Sequence, residues 1–491
     1  MYKRQAYNQL DVTQKFLFVP NQNHRLTANI QYSTSSNVPR YDNLSEVSGD
    51  ALRWAEWNYG PQRRLLTGLE YRNIQEKKFS DQFVIIGAYQ KIDEDRISRR
   101  WQNPLREIQE EDVNVWSLTA DASKFFGTRK HLTLDYGADV QYNFIQSTAT
   151  GEDVNTGIRT EDVLTRYASD FNRYMGIGTF ASLNGSSENE SFDYQMGVRL
   201  SHVNYNFAYD RADPVEWPEL YYEGINGKST SFTWSLGGTY STVDKLRIRG
   251  MVSTAFRAPN IDDLSKVRVN SDEITFPNVD LSPEKSLNLE LGINKTWGFV
   301  NTGITAFYTD LDDAIVRRDA IGPGGVDVWI TQGDTLNIVG NQNAQSAYIY
   351  GLSIQLDYNN LSGIKAGATF NYTRGRERTT TGTIPLGHIP PAYGQLFFGW
   401  DDDRWNSKLV FRYNVHKPLS EYGGSVDNPD LATPDGALGW STFNLYNSYK
   451  FSPLFSISLA IENIADVHYR TFGSGVSAAG RNIIISARGK F

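Results

Sequence analysis

Apolar and polar positions alternate with period two along almost the whole chain. In 287–294, Leu287, Leu289, Leu291 and Ile293 stand against Asn288, Glu290 and Asn294. In 192–201, Phe192, Tyr194, Met196, Val198 and Leu200 stand against Asp193, Gln195, Arg199 and Ser201. The same alternation runs through 232–240, 246–257, 364–373, 392–400, 405–416 and 455–461. The last eleven residues close with it: Ile483, Ile485, Ala487 and Gly489 oppose Asn482, Ser486, Arg488 and Lys490, broken only by Ile484. Successive side chains of a strand point to opposite faces, so each segment predicts a strand with one oily and one wet face. No helical period competes with this pattern.

The connections sort by length. Short turns recur at Gly127-Thr128-Arg129, Ser186-Ser187-Glu188-Asn189, Thr242-Val243-Asp244, Thr296-Trp297-Gly298, Asn360-Leu361-Ser362, Asp401-Asp402-Asp403 and Ser452-Pro453. Long segments lie between them, at about 35–60, 93–110, 147–171, 206–228, 258–284, 319–344, 377–389, 419–438 and 467–478. Bacterial outer-membrane barrels have short periplasmic turns and long extracellular loops. The pattern therefore predicts an all-β fold, an antiparallel transmembrane barrel of about eighteen strands plus a partial strand at 10–19. A propeller would repeat at a near-constant period without sorting its connections strictly into short and long.

Composition fits the same picture. Aromatics make up 13% of the 491 residues, including 28 Tyr and 11 Trp, which suits girdles at two membrane–water interfaces. No run approaches the ~18 apolar residues of a spanning helix, and barrel strands need none. Cysteine is absent, which excludes disulfides and thiolate metal sites. A net charge of −8 with no basic motif gives no support for nucleic-acid binding. No P-loop, HExxH or calcium-loop pattern and no serine–histidine constellation stands out, so no enzyme activity, cofactor or metal site is expected. The start, MYKRQAYNQL, lacks the apolar segment of a leader. Residues 1–5 match what a sequencing-library transposase end would encode. They are expected to be an assembly scar, with 6–491 the barrel proper.

A family resemblance rests on ordered motifs. Phe256-Arg257-Ala258-Pro259 ends a strand; Pro277-Asn278-Val279-Asp280-Leu281-Ser282-Pro283-Glu284 leads into the strand at 287; Glu462-Asn463-Ile464-Ala465-Asp466, Tyr469-Arg470, Gly480-Arg481 and Phe491 follow near the end. This set resembles the barrel of TonB-dependent receptors, active importers of Gram-negative outer membranes. Val38-Pro39-Arg40-Tyr41-Asp42 and Trp57-Asn58-Tyr59-Gly60-Pro61 look like Bacteroidetes members. The resemblance implies about 22 strands around a plug, so that this chain reads as an N-terminally truncated barrel lacking the plug and about three strands. It implies the TonB complex as partner through that missing region, the barrel assembly machinery acting on the terminal Phe491, and contact with outer-membrane lipid and lipopolysaccharide. The implied cargo is a small-molecule metal chelate, an iron–siderophore complex first, then cobalamin or haem, then glycans. A passive porin is the alternative.

Candidate ligand contacts follow from strand direction. Arg412, Asn414 and His416 face the lumen near the outer mouth, and Arg257 ends its strand at a similar height. His388 and His468 lie in or beside extracellular loops. Lower in the lumen, Arg247, Arg249, Glu290, Lys365, Glu462 and Arg488 are expected to face a plug, or simply a wet lumen. Arg374, Arg376 and Arg378 continue the outward side of their strand, toward lipopolysaccharide phosphates or solvent. Haem-importing members carry a histidine between the two central motifs; 260–276 has none, and the second motif is altered at 278–281.

Overall fold

A computed structural model describes residues 7–490 except 49, 128–130, 271, 332–333 and 345. Residues 1–5, Phe491 and Thr128-Arg129 of one short turn, on which the sequence raised expectations, lie outside the described residues. A single 23-stranded sheet forms the wall. Four of its members, Val38–Pro39, Trp54–Tyr59, Arg159–Thr160 and Gly382–Pro385, are additions along the loop ends, which leaves nineteen wall strands. Every wall strand pairs antiparallel with its neighbours in the chain. The segment expected as a partial strand is a complete one, Gln9–Asn21. It pairs with His24–Ser35, and at the other end Asn482–Gly489 pairs with Phe455–Glu462. Among the described residues these two outermost strands do not pair with each other, and both are exposed throughout. Among the described residues no helix is long and apolar enough to cross a membrane.

The two faces separate as the alternation predicts. Leu287, Leu289, Leu291 and Ile293 are 42–53% exposed on the outer face, while the intervening Asn288 and Glu290 are half-buried on the inner one. Apolar groups left this open would be costly in water, at about 25 cal/mol per Å², and are at home against acyl chains. Aromatics band the outer face at two heights. Near the short turns lie Phe299 against Tyr358 and a run through Trp405, Tyr449, Phe451 and Phe455. Higher up, Tyr308, Tyr348, Tyr350 and Tyr372 form a chain of ring contacts. The turn between Glu284–Trp297 and Val300–Asp312 is only two residues long; Gly298 takes φ +56° there, which glycine adopts without a Cβ penalty.

The loops depart from expectation. The segment 93–110 is no loop: Gln82–Arg100 and Leu105–Phe126 continue as a paired hairpin above the membrane, turning at 101–104. Both faces of that extension are polar, so it carries no apolar alternation. Segments 209–224, 258–284 and 313–345 fold together into a cap. Its five-stranded sheet comprises Arg268–Asn270, Glu273–Phe276, Ile315–Asp319, Val328–Thr331 and Asp334–Asn343. Glu273–Phe276 runs parallel to Asp334–Asn343, with Ile274 opposite Ile338. Beneath this sheet lies a core of Tyr209, Trp217, Leu264, Ile274, Phe276, Leu336 and Ile338. Tyr205, Phe207 and Ile225, on the inner side of their wall strands, belong to the same core, so the cap folds inward over the mouth.

Candidate functional site

A chamber of about 690 Å³ lies open against the upper inner wall, bordered from the cap by Ala258, Asn260, Ile261 and Asp262. Glu94, Glu111, Asp139 and Arg199 come from wall strands; Arg166, Arg257 and Asp262 come from loops and strand ends. Asn260 starts the short helix Ile261–Leu264 with a reciprocal capping box to Asp263, which fixes the turn after Arg257. The cap is tied down by polar contacts at its motif residues. Asn343 donates to the carbonyls of Ser282 (2.9 Å) and Asp313 (2.6 Å) and accepts from the Ser282 amide (2.7 Å). Asn278 donates to the Asn341 carbonyl at 2.8 Å. Buried Tyr209 donates to the Ser265 carbonyl at 2.7 Å, and burial raises its phenol well above the ordinary value.

Arginine dominates the chemistry of this region. Arg166 lies 3.4 Å from Glu94, 3.7 Å from Glu111 and 3.9 Å from Asp262. Arg96, on the inner side of its strand, shares Glu94 at 3.3 Å. Asp262 is claimed by Lys266 (2.8 Å) and by the Tyr167 hydroxyl (2.8 Å). Burial alone would raise the Asp262 carboxyl; Lys266, Tyr167 and Arg166 hold it below the ordinary aspartate value. The cap sheet adds two more guanidiniums. In its register, Arg268 lies opposite Thr275, Thr275 beside Val339, and Arg317 opposite Asn341. This places Arg268 and Arg317 on the face opposite Ile274 and Ile338. Neither has a hydrogen-bonded or ion-paired partner among the described residues. Burial first, then repulsion from Arg96, Arg317 and Arg166, pushes the Arg268 guanidinium below its ordinary value.

The residues singled out from sequence fall into separate places. Arg257 lines the chamber, but both its arms are occupied, by Glu284 and by Asp263 (2.6 Å), so it braces the cap. Arg412 reaches the Tyr446 hydroxyl at 3.5 Å, and His416 donates to the Asp435 carbonyl at 2.7 Å. Asn414 is half-buried beside Tyr393 and Trp440. His468 lines a second cavity, of about 280 Å³, with Tyr422, Trp440, Tyr469 and Arg470; the rings of Trp440 and Tyr469 meet at a tilt of 32° with centroids 4.3 Å apart. His388 is largely exposed, 4.0 Å from buried Asp427. Among the described residues no hydrogen bond or ion pair joins Arg257 to the Arg412 group. Among the described residues no cluster of three potential ligands could hold a metal.

The lower-lumen expectation needs one correction. Glu462 ends a strand that rises from the short turn at 453–454, so it stands at the loop end, where it accepts from Tyr446 at 3.0 Å. Arg249 pairs with Glu290 at 2.6 Å, and Lys365 with Asp401 at 2.6 Å. Arg247 lines a cavity of about 700 Å³ with Lys245 and Lys295 near the short turns. Arg488 stands exposed, opposite Ser456. Arg376 is neither solvated nor open to lipopolysaccharide: it is 8% exposed, covered by a loop through an ion pair with Glu421. Sequence reasoning passed over Arg96, Arg166, Arg268 and Arg317. Only Arg96 left a signal, its inward parity in a strand; the other three are placed by loop folding.

Comparison with known proteins agrees with this architecture. The profile of the family described as TonB dependent receptor-like, beta-barrel, matches residues 3–464. A probable TonB-dependent siderophore receptor PirA of Acinetobacter baumannii is 26% identical over 277 residues, 50% of this chain and 36% of that protein. A probable hemoglobin and hemoglobin-haptoglobin-binding protein 4 of Haemophilus influenzae is 25% identical over 265 residues, 50% of this chain and 26% of that protein. The vitamin B12 transporter BtuB of Vibrio vulnificus is 25% identical over 278 residues, covering 52% and 42%. The matches thus span well under half the length of these relatives. Among solved structures, the copper transporter OprC superposes with a TM-score of 0.78 at 14% identity, over 99% of this chain and 72% of that one. The ferric citrate transporter FecA gives 0.71 at 14% identity, over 100% and 71%. At such identities these structures speak for the fold alone.

Proposed function

Because this chain belongs to the TonB-dependent receptor-like β-barrel family, we propose that it forms the wall and outer mouth of an active importer in a Gram-negative outer membrane. Its cargo is a metal chelate, an iron–siderophore complex before cobalamin or haem. The observation that carries this reading is the cap: three loop segments are committed to a packed lid over the mouth. A passive pore gains nothing from such a lid, whereas a receptor that captures a scarce ligand does. The names of the relatives, which include siderophore, haemoglobin and B12 proteins, support the same cargo range.

The transport step needs parts beyond this wall. In this reading the TonB complex acts on a plug inside the lumen, which the inward-facing charges Arg247, Arg249, Glu290, Lys365 and Arg488 line. Further strands fill the seam between Gln9–Asn21 and Asn482–Gly489, since two bare strand edges in a bilayer leave polar backbone without partners. The barrel assembly machinery and lipopolysaccharide are its other contacts. Deleting the gene, and separately tonB, tests the reading. Uptake of a radiolabelled iron chelate or of cobalamin should fall at least tenfold in both strains. Normal uptake of every iron source and of cobalamin, with a growth defect only on a glycan, would overturn the chelate cargo.

A further inference from the structure

We propose that the second cavity, between loops 415–439 and 463–481, binds one pyranose ring of a saccharide. It shares no residue with the chamber, and the proposal does not depend on the chelate cargo. Strand direction puts it at the extracellular end: Trp405–Asn414 rises into the first loop and Phe455–Glu462 into the second.

The walls are held in place without a ligand. The Asn463 side chain donates to the Val467 carbonyl at 2.8 Å and accepts from the Val467 amide at 2.9 Å, which fixes the start of the second loop. Arg470 donates to the Leu431 carbonyl at 2.6 Å, and Asn428 to the Gly473 carbonyl at 3.2 Å, so the two loops are laced together. Phe472 meets Tyr422 edge-on, with the Lys417 ammonium 3.9 Å from the Phe472 ring. A pocket ordered in advance spares a ligand the cost of ordering it.

The lining selects the chemistry. Trp440 and Tyr469 make a continuous aromatic surface. No carboxylate lines the cavity, and its guanidinium, Arg470, is engaged by Leu431. Among the described residues, the indole N–H of Trp440 and the hydroxyls of Tyr469, Thr471 and Ser477 make no hydrogen bond. Aromatic carbon bordered by uncommitted donors and acceptors matches a pyranose, which carries a face of C–H bonds and a rim of hydroxyls. A metal ion finds no anionic ligand here, and an acyl chain would leave the polar groups without partners. About 280 Å³ is at the lower end for a ligand pocket, room for one ring and not for a whole chelate. Two sources supply such rings at this height: the sugars of surrounding lipopolysaccharide and free oligosaccharides.

The test uses the whole receptor in outer-membrane vesicles, from a strain with complete lipopolysaccharide and from one lacking its outer sugars. Saturation-transfer NMR reads binding of the methyl glycosides of glucose, galactose, mannose and N-acetylglucosamine. At least one should bind, with a dissociation constant on the order of 1 mM for so small a ligand. Trp440→Ala should weaken it at least tenfold. Ser477→Phe, at an exposed position of the lining, should block the cavity to a similar extent. Tyr469→Phe keeps the aromatic surface and should keep most of the affinity. Heat-modifiable migration on gels checks assembly; should Trp440→Ala fail to assemble, Ser477→Phe decides. Binding at least threefold tighter once the outer sugars are absent would identify lipopolysaccharide as the resident ligand; a smaller difference would identify a free saccharide. Failure of every probe in both strains would overturn the proposal, as would unchanged affinity in either assembled variant, Trp440→Ala or Ser477→Phe. Neither result touches the import reading, which chelate uptake tests separately.

Discussion

The wall and the cap handle apolar residues in opposite ways. On the wall, Leu289 and Leu291 are 43% and 53% exposed; in the cap, Leu336 and Ile338 are 1% exposed. One region puts its oily side chains outward for a lipid solvent, and the other hides them as a soluble domain does. The wall is therefore held by strand pairing and by the membrane, while the cap is held by burial in water. Their stabilities should respond to different changes.

The largest separation is expected from Trp217→Ala. Trp217 is 4% exposed and packs against Tyr209, Tyr221 and Phe276. Removing it should cost the cap about 3–5 kcal/mol. External protease should then cut within 313–345 while the heat-modifiable migration of the barrel is unchanged. Loss of both together would mean that wall and cap are one cooperative unit.

Leu291→Lys is the reverse experiment. A lysine near mid-membrane on the lipid face should destabilise the wall by about 2–4 kcal/mol, read as a lower urea midpoint in bilayers. Leu291→Ala should cost less than the equivalent truncation at Leu336, because no protein cavity is left behind.

Asn343→Ala sharpens the comparison within the cap. It removes three hydrogen bonds that pin 282 and 313. At about 1 kcal/mol for each bond, the three together should raise amide exchange across 278–283 by up to about a hundredfold, with the wall unaffected.

The smallest effect concerns pH. Hydrogen bonding from Arg376 holds the Glu421 carboxyl below its ordinary 4.5. Such a group lends stability that is complete above its unfolded value and is lost as pH falls through the lower folded value. Protection of loop 415–439 should therefore be flat from neutrality down to about pH 5 and decline only below the ordinary glutamate range. Arg376→Gln should abolish that acid-side decline, and an unchanged profile would assign it to another group.

Legibility followed the same division. The outward set Leu287, Leu289, Leu291 and Ile293 was readable because every second residue meets lipid, and a strand carries that rule locally. Arg412 and Tyr446 meet on the inner side because the same parity holds on both their strands. The hairpin at 93–110 was missed because, above the bilayer, both of its faces are wet and Glu94, Asp95 and Arg96 leave no apolar period. Glu462 was placed too low because its strand runs upward to the loop end.

What the sequence determined by itself is the sheet: its alternating faces, its nineteen-strand wall, the side on which the short turns lie, and the family. These depend on neighbours one or two residues apart. What only the tertiary structure decided is the mouth. Ile274 pairs beside Ile338, and Arg268 and Arg317 share a face, across more than forty residues of intervening chain. No local period encodes a parallel pairing between separate loops. It is selected by the burial of a shared core, and Arg268 and Arg317 are positioned by that packing.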